Sequence, residues 1–228
     1  MPGSGPGFAA AAGRPAVLQL RVVLAQISPL IWRRLLVTDQ TTIAELHTVL
    51  QLAFGWTDEH PHRFVIHGVE YGLNRPGAIR FSHDARTVPL ARFGLRQGER
   101  FTYEYDSYHA WRHDLRVEAI LEPVAGQRYP LCTDGARSAP PEDCGGAQAF
   151  LALRQQHSRR AITLRMAELL RPLLAARDDQ TVREVLGDDR LDELAELRCW
   201  SRIDDFDRHA VNHALHTYSR LGRREVRA

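Results

Sequence analysis

From Val17 to Leu24 the chain sets Leu18, Leu20, Val22 and Leu24 on one face, the period-two spacing of a half-buried β-strand. Ser28-Pro29 predicts a turn, and Ile31 to Val37 predicts a second strand in which Arg33 and Arg34 stand beside large apolar residues. The period then changes. Ile43, Leu46, Leu50 and Phe54 recur at helical spacing, Thr41 or Thr42 can cap that helix with Glu45 completing a capping box, and Gly55 ends it. Residues 62–67 and 69–71, on either side of Gly68, predict a tight hairpin. Residues 72–98 carry Gly72, Pro76, Gly77, Pro89, Gly94 and Gly98 and predict a loop with one helical turn near Leu90.

Two further strands follow. Phe101, Tyr103 and Tyr105 alternate with Thr102, Glu104 and Asp106, and Trp111, His113, Leu115, Val117 and Ala119 alternate with Arg112, Asp114, Arg116 and Glu118. The first set of each should face a core and the second set water. Residues 122–147, rich in Pro and Gly, are expected to form a long connection, a length that is usually functional or pinned by something. Beyond Ala147 only helical spacing remains: Ile162, Met166, Leu169 and Leu173; then Leu191, Leu194 and Trp200; then Phe206, Ala210, Ala214, Tyr218 and Leu221. Pro172 should start or kink a helix, and Asp204 or Asp205 is the expected cap of the last one. The fold class expected is α+β, a mainly antiparallel sheet covered by the 42–54 helix and followed by a helical C-terminal region. The expected division is a flexible tail at 1–15, an α+β domain at 16–156, and a helical extension at 157–228 packed on it.

Composition removes more than it adds. The 228 residues are 44% hydrophobic and 25% charged, ordinary for a globular protein. No apolar run approaches the length of a membrane-spanning helix. The opening MPGSGPGFAAAAGRP lacks the basic start and apolar stretch of a signal peptide. A cytoplasmic location without a membrane partner is therefore expected. All 30 basic residues are arginine, which excludes a P-loop lysine and a Schiff-base lysine. A GxSxG nucleophile elbow is also missing. A net charge of +2 gives nucleic acid only weak support as a partner. Cys132, Cys144 and Cys199 are too few and too scattered for a secreted disulfide framework.

Three histidines fall on faces expected to be buried: His47 on the first helix, His62 in parity with Phe64 and Ile66, and His113 in parity with Trp111 and Leu115. One reading makes each a core histidine satisfied by a carbonyl or a tyrosine, since an unpaired buried polar group costs about 1–3 kcal/mol. The sharper reading makes two or three of them converge as metal ligands or as a general base. His60 adds a His-x-His pair. Cys132 and Cys144 are separated by eleven residues, wider than a zinc knuckle, so zinc held by them with His113 is an alternative that the spacing does not favour, and the cofactor is left open. The stretch Pro140-Pro141-Glu142-Asp143-Cys144-Gly145-Gly146 reads as a rigid turn whose carboxylates cap the next helix. If His47, His62 and His113 meet near it, a ligand pocket would be lined by Trp56, Tyr105 and Trp111, with Glu142 and Asp143 at its mouth. Arg33, Arg34, Arg112 and Arg116 could bind phosphate, but beside Glu104, Asp106, Asp114 and Glu118 they read as an exposed ion-pair lattice.

In this order, Ser28-Pro29-Leu30-Ile31-Trp32-Arg33-Arg34, Leu46-His47, Gly55-Trp56, His60-Pro61-His62-Arg63-Phe64, Tyr103-Glu104-Tyr105-Asp106, Trp111-Arg112-His113 and the 140–146 stretch resemble the plasmid pRiA4b ORF-3-like family. The resemblance covers about residues 16–156 and the helix from Phe206 to Leu215. It implies an α+β domain and a mobile-element origin, and it assigns no reaction. Two departures stand out: Ser107-Tyr108-His109 replaces the family's usual Phe-Gly-Asp, and Ser138 or Ala139 occupies the place of a further cysteine. The function expected is a non-catalytic accessory or interaction module with a protein partner or small ligand. The alternatives are a metal-dependent enzyme built on the inward histidines and a DNA-binding accessory protein.

Overall fold

The computed structural model describes residues 15–73, 81–177 and 180–225. Period-two burial makes β1 (Val17–Leu24) and β2 (Trp32–Thr38) an antiparallel pair. The helix α1 (Ile43–Phe54) follows, then β3 (His62–Ile66), β4 (Val69–Tyr71), β5 (Arg100–Tyr105), β6 (Trp111–Leu121) and β7 (Leu131–Ala136). Among the described residues these seven strands form one sheet in the order β4-β3-β5-β6-β1-β2-β7, and every neighbouring pair is antiparallel. The helices α2 (Gly146–Gln156), α3 (Arg159–Leu170), α4 (Val182–Leu186), α5 (Asp188–Ser201) and α6 (Arg208–Glu225) complete a mixed α+β fold.

One core serves both layers. Leu20, Val22, Leu35, Phe64 and Leu115 from the sheet pack with Ile43, Leu46 and Leu50 from α1, and Phe150, Ile162, Leu197, Trp200 and Leu215 join them from the later helices. The start of α1 is fixed by its capping box, in which the Thr42 hydroxyl accepts the Glu45 N–H and the Glu45 carboxylate accepts the Thr42 N–H at 2.7 Å. Such a cap stabilises a helix by about 1 kcal/mol. Gly55, with φ 73°, closes the other end. Among the described residues no helix is long and apolar enough to cross a membrane.

Four expectations need correction. The stretch 122–147 is not all connection, because Leu131–Ala136 pairs with β2 as an edge strand. Arg33 belongs to no exposed lattice: strand parity turns it inward, where its Nε donates to the Ala53 carbonyl in the last turn of α1 (2.9 Å) and its Nη1 to the carbonyls of Trp32 and Ala136. The guanidinium lies against the rings of Phe54 and Phe206, and burial lowers its pKa to about 10, still charged at neutral pH. Asp106 is likewise buried. Neither Asp204 nor Asp205 caps α6; Asp207 does, accepting the Ala210 N–H, while Asp204 pairs with Arg137 and Arg154. The inward face of α6 is led by Leu215, with Val211 and Tyr218 packed beside it, whereas Ala210 and Leu221 are exposed. The tail expected at 1–15 lies, apart from Pro15, outside the described residues.

Candidate functional site

The helical period that buries Leu46 and Leu50 also buries His47, on the side of α1 that faces β3 and β5. Its Nδ1 lies 2.8 Å from the Tyr103 hydroxyl and its Nε2 lies 2.8 Å from Asp58 Oδ1. Gln51, one turn along, donates to the same hydroxyl at 2.8 Å and accepts the Asp58 backbone N–H at 3.2 Å. Burial holds the Tyr103 phenol far above its ordinary pKa, so the hydroxyl stays protonated. Asp58 sits in the loop after α1 at φ 62°, a left-handed conformation that aspartate tolerates better than most residues. His62 opens β3 and stacks on His47, with ring centroids 3.4 Å apart and planes 11° from parallel. Helix, loop and strand thus bring two imidazoles and a carboxylate together. One ligand atom from each of His47, Asp58 and His62 lies within 4.8 Å of the others.

The 140–146 turn borders this cluster and is clamped from the core side. Trp56 Nε1 donates to the Pro140 carbonyl and Trp111 Nε1 to the Glu142 carbonyl, each at 3.0 Å. The Glu142 carboxylate accepts the Thr57 N–H at 2.7 Å, the Thr57 hydroxyl at 2.8 Å and the Tyr105 hydroxyl. Burial pushes the Glu142 pKa up, but these three donors outweigh it and leave the carboxyl below its usual range. Asp143 pairs with His60 at 3.0 Å, and that hydrogen bond raises the His60 pKa. Asp106 receives the Tyr108 N–H and pairs with His109, so the divergent Ser107-Tyr108-His109 segment is tied back to the motif before it. The His109 carbonyl stands 2.7 Å from where a Cβ on Gly146 would be, so only glycine fits there.

Trp56 lies 5.4 Å from Tyr105 and 5.5 Å from Trp111, ring centre to ring centre, so these aromatic residues fill the space beside the turn with one another. His113 stays apart from the histidine pair's ligand group. Phe54, Trp56 and Tyr103 enclose it at 4.7 to 5.3 Å, and burial lowers its pKa to about 3 against weak opposition from the Trp111 and Tyr103 backbones. Among the described residues no side chain hydrogen-bonds its nitrogens. Cys132 belongs to β7, where its backbone is held at both ends by the Asn212 amide of α6. Burial pushes the Cys144 thiol up to about 11, which keeps it protonated. Neither cysteine joins the two histidines. Sequence periodicity gives no hint of Asp58, which lies in a loop; its only signal is the carboxylate pair Asp58-Glu59 between Trp56 and His60.

The family described as "Plasmid pRiA4b ORF-3-like protein" matches residues 16–163, well over half of the chain. This protein belongs to the plasmid pRiA4b ORF-3-like family. Every residue of the histidine cluster and of the clamped turn falls inside the matched span. The pRiA4b ORF-3-like chain is 32% identical over 136 residues to the uncharacterized protein y4hQ of Sinorhizobium fredii (strain NBRC 101917 / NGR234), covering 59% of this chain and 70% of that one. Its fold is similar to the crystal structure of MM3350, a protein of unknown function from Methanosarcina mazei Go1, with a TM-score of 0.56 and 25% identity across 86% of this chain and 93% of that one.

Proposed function

We propose that this pRiA4b ORF-3-like protein is an accessory module of mobile-element origin that binds a divalent transition-metal ion through His47, Asp58 and His62. The observation that carries the reading is the convergence of three ligand atoms, from three different elements, within 4.8 Å. Two imidazoles and a carboxylate suit zinc, cobalt(II), nickel or ferrous iron. At metal–nitrogen distances of about 2.0–2.1 Å, two nitrogens on one tetrahedral ion stand roughly 3.3 Å apart. The ligand atoms lie within 4.8 Å of one another, and the two near-parallel rings must rotate apart so that an ion enters both planes. With an ion on its Nε2, His47 donates Nδ1–H to the Tyr103 oxygen, the outer partner that orients a ligating imidazole. Glu142 and Asp143 are engaged by Thr57, Tyr105 and His60, which supports a bracing role for them.

Tag-free protein stripped with a chelator and titrated with zinc or cobalt(II) in a calorimeter tests the reading. One equivalent should bind, and Asp58→Asn and His62→Gln should each weaken binding at least tenfold while remaining folded. A folded wild type that takes up no stoichiometric metal, or affinities unchanged in both variants, would refute it. The Asp58 side chain is 41% exposed, which leaves the cluster open to solvent and favours a second reading, a metal-dependent enzyme with water on the ion. A cobalt(II) spectrum that shifts near neutral pH, as bound water ionises, would support that reading.

A further inference from the structure

We infer that the open face of the sheet binds single-stranded nucleic acid along a lateral row of arginines. The register sets Arg34 of β2 opposite Arg21 of β1, Arg21 opposite Arg116 of β6, and Arg116 opposite Arg100 of β5. Each alternates along its strand with buried residues, so all four lie on the face away from the core. At about 4.8 Å per strand the row runs roughly 14 Å. Like charges directly opposite one another destabilise a sheet, so this row weakens the fold it sits on.

Among the described residues carboxylates answer only one end of it. Glu118 accepts from Arg34 at 2.5 Å and lies 4.0 Å from Arg21, and Asp134 meets Arg34 at 3.1 Å. The other acids of the face are taken elsewhere: Asp114 pairs with Arg112, and Glu104 and Glu70 with Arg63. Among the described residues Arg100 and Arg116 form no ion pair, and both are exposed. Trp32 shares the face two residues before Arg34, with the guanidinium carbons of Arg21 and Arg34 at 4.7 and 5.2 Å from its ring centre. Phosphates fit the row, and unpaired bases stack on indole and guanidinium planes. An acidic peptide would meet the charges and leave the indole unused. Among the described residues this face of the sheet presents no helix or two-stranded ribbon to a duplex groove, which favours single strands over duplex.

The experiment is fluorescence anisotropy of the full chain with a fluorescein-labelled 12-nucleotide thymidine strand at 50 and 200 mM salt. Binding should weaken with salt, each neutralised phosphate contributing about 0.7 to the log–log slope. The double variant Arg100→Gln/Arg116→Gln should lose at least tenfold in affinity at 50 mM salt and about 1.4 of that slope. Its thermal midpoint should equal or exceed that of the wild type, because like-charge repulsion is relieved. Four outcomes overturn the inference: no binding at 50 mM salt, an unchanged affinity in the double variant, a lower melting midpoint in that variant, or equally tight binding of polyglutamate or duplex DNA.

Discussion

Tyr103→Phe removes one oxygen atom from the centre of the site and leaves packing volume almost unchanged. That oxygen is bonded to His47 Nδ1 and to Gln51 Nε2, both at 2.8 Å, and the side chain is fully buried. The loss therefore orphans two buried polar groups, each at about 1–3 kcal/mol, and after partial relaxation the variant should be destabilised by about 3 kcal/mol. For a protein of this size that corresponds to a fall in melting temperature of roughly 6–12 °C. Urea unfolding followed by the fluorescence of the Trp56 and Trp111 cluster gives the free energy directly. Gln51→Leu removes the other partner, so the double variant Tyr103→Phe/Gln51→Leu should be more stable than the two single losses add up to, by at least about 0.5 kcal/mol. The zinc affinity of Tyr103→Phe should also fall, by about tenfold to a hundredfold, because His47 loses its outer partner. A destabilisation under about 0.5 kcal/mol, or strict additivity in the cycle, would refute the shared-oxygen account.

Two further outcomes are expected. His113 has a folded-state pKa of about 3 against an ordinary 6.5, so the unfolded chain binds a proton that the folded chain refuses. Its contribution to stability is complete above pH 6.5 and is lost as the pH falls towards 3, at about 1.4 kcal/mol per pH unit. His113→Leu should flatten denaturation free energies measured between pH 6.5 and 4.5, and an unaltered slope would count against burial as the cause. Gly135→Ala would place a Cβ 2.6 Å from the Phe206 ring that covers Arg33, so a loss of about 1–3 kcal/mol in thermal melts is expected, and an unmoved midpoint would contradict that contact.

Much of this was legible because parity and helical spacing are set by burial. The inward residues of β1, β5 and β6 and the core face of α1 all follow from the alternation of their apolar residues. The same alternation placed His47, His62 and His113 inside, though it could not say that the first two stack while the third is walled off by Phe54 and Trp56. β7 escaped because an edge strand reading Leu-Cys-Thr-Asp-Gly-Ala buries little more than Cys132. Sequence alone puts Arg33 at the surface, where a charged residue ordinarily lies, yet its charge faces carbonyl oxygens and aromatic rings. Asp58 and the Glu142 clamp depend on loops meeting across the fold, and no local period encodes that.

The sheet order has a consequence for how the chain is made. β1 pairs locally with β2, but its other edge belongs to β6, with Val17 beside Leu121 about a hundred residues later. At 5–20 residues per second a ribosome needs about 5–20 s to supply that partner. Until then the hydrophobic residues of β1, β2 and α1 lack most of their sheet, and both outer edges of the β1–β2 pair, those later taken by β6 and β7, stand open to other chains. The nascent chain should therefore be most vulnerable to aggregation, and most dependent on chaperones, between the emergence of α1 and the emergence of β6.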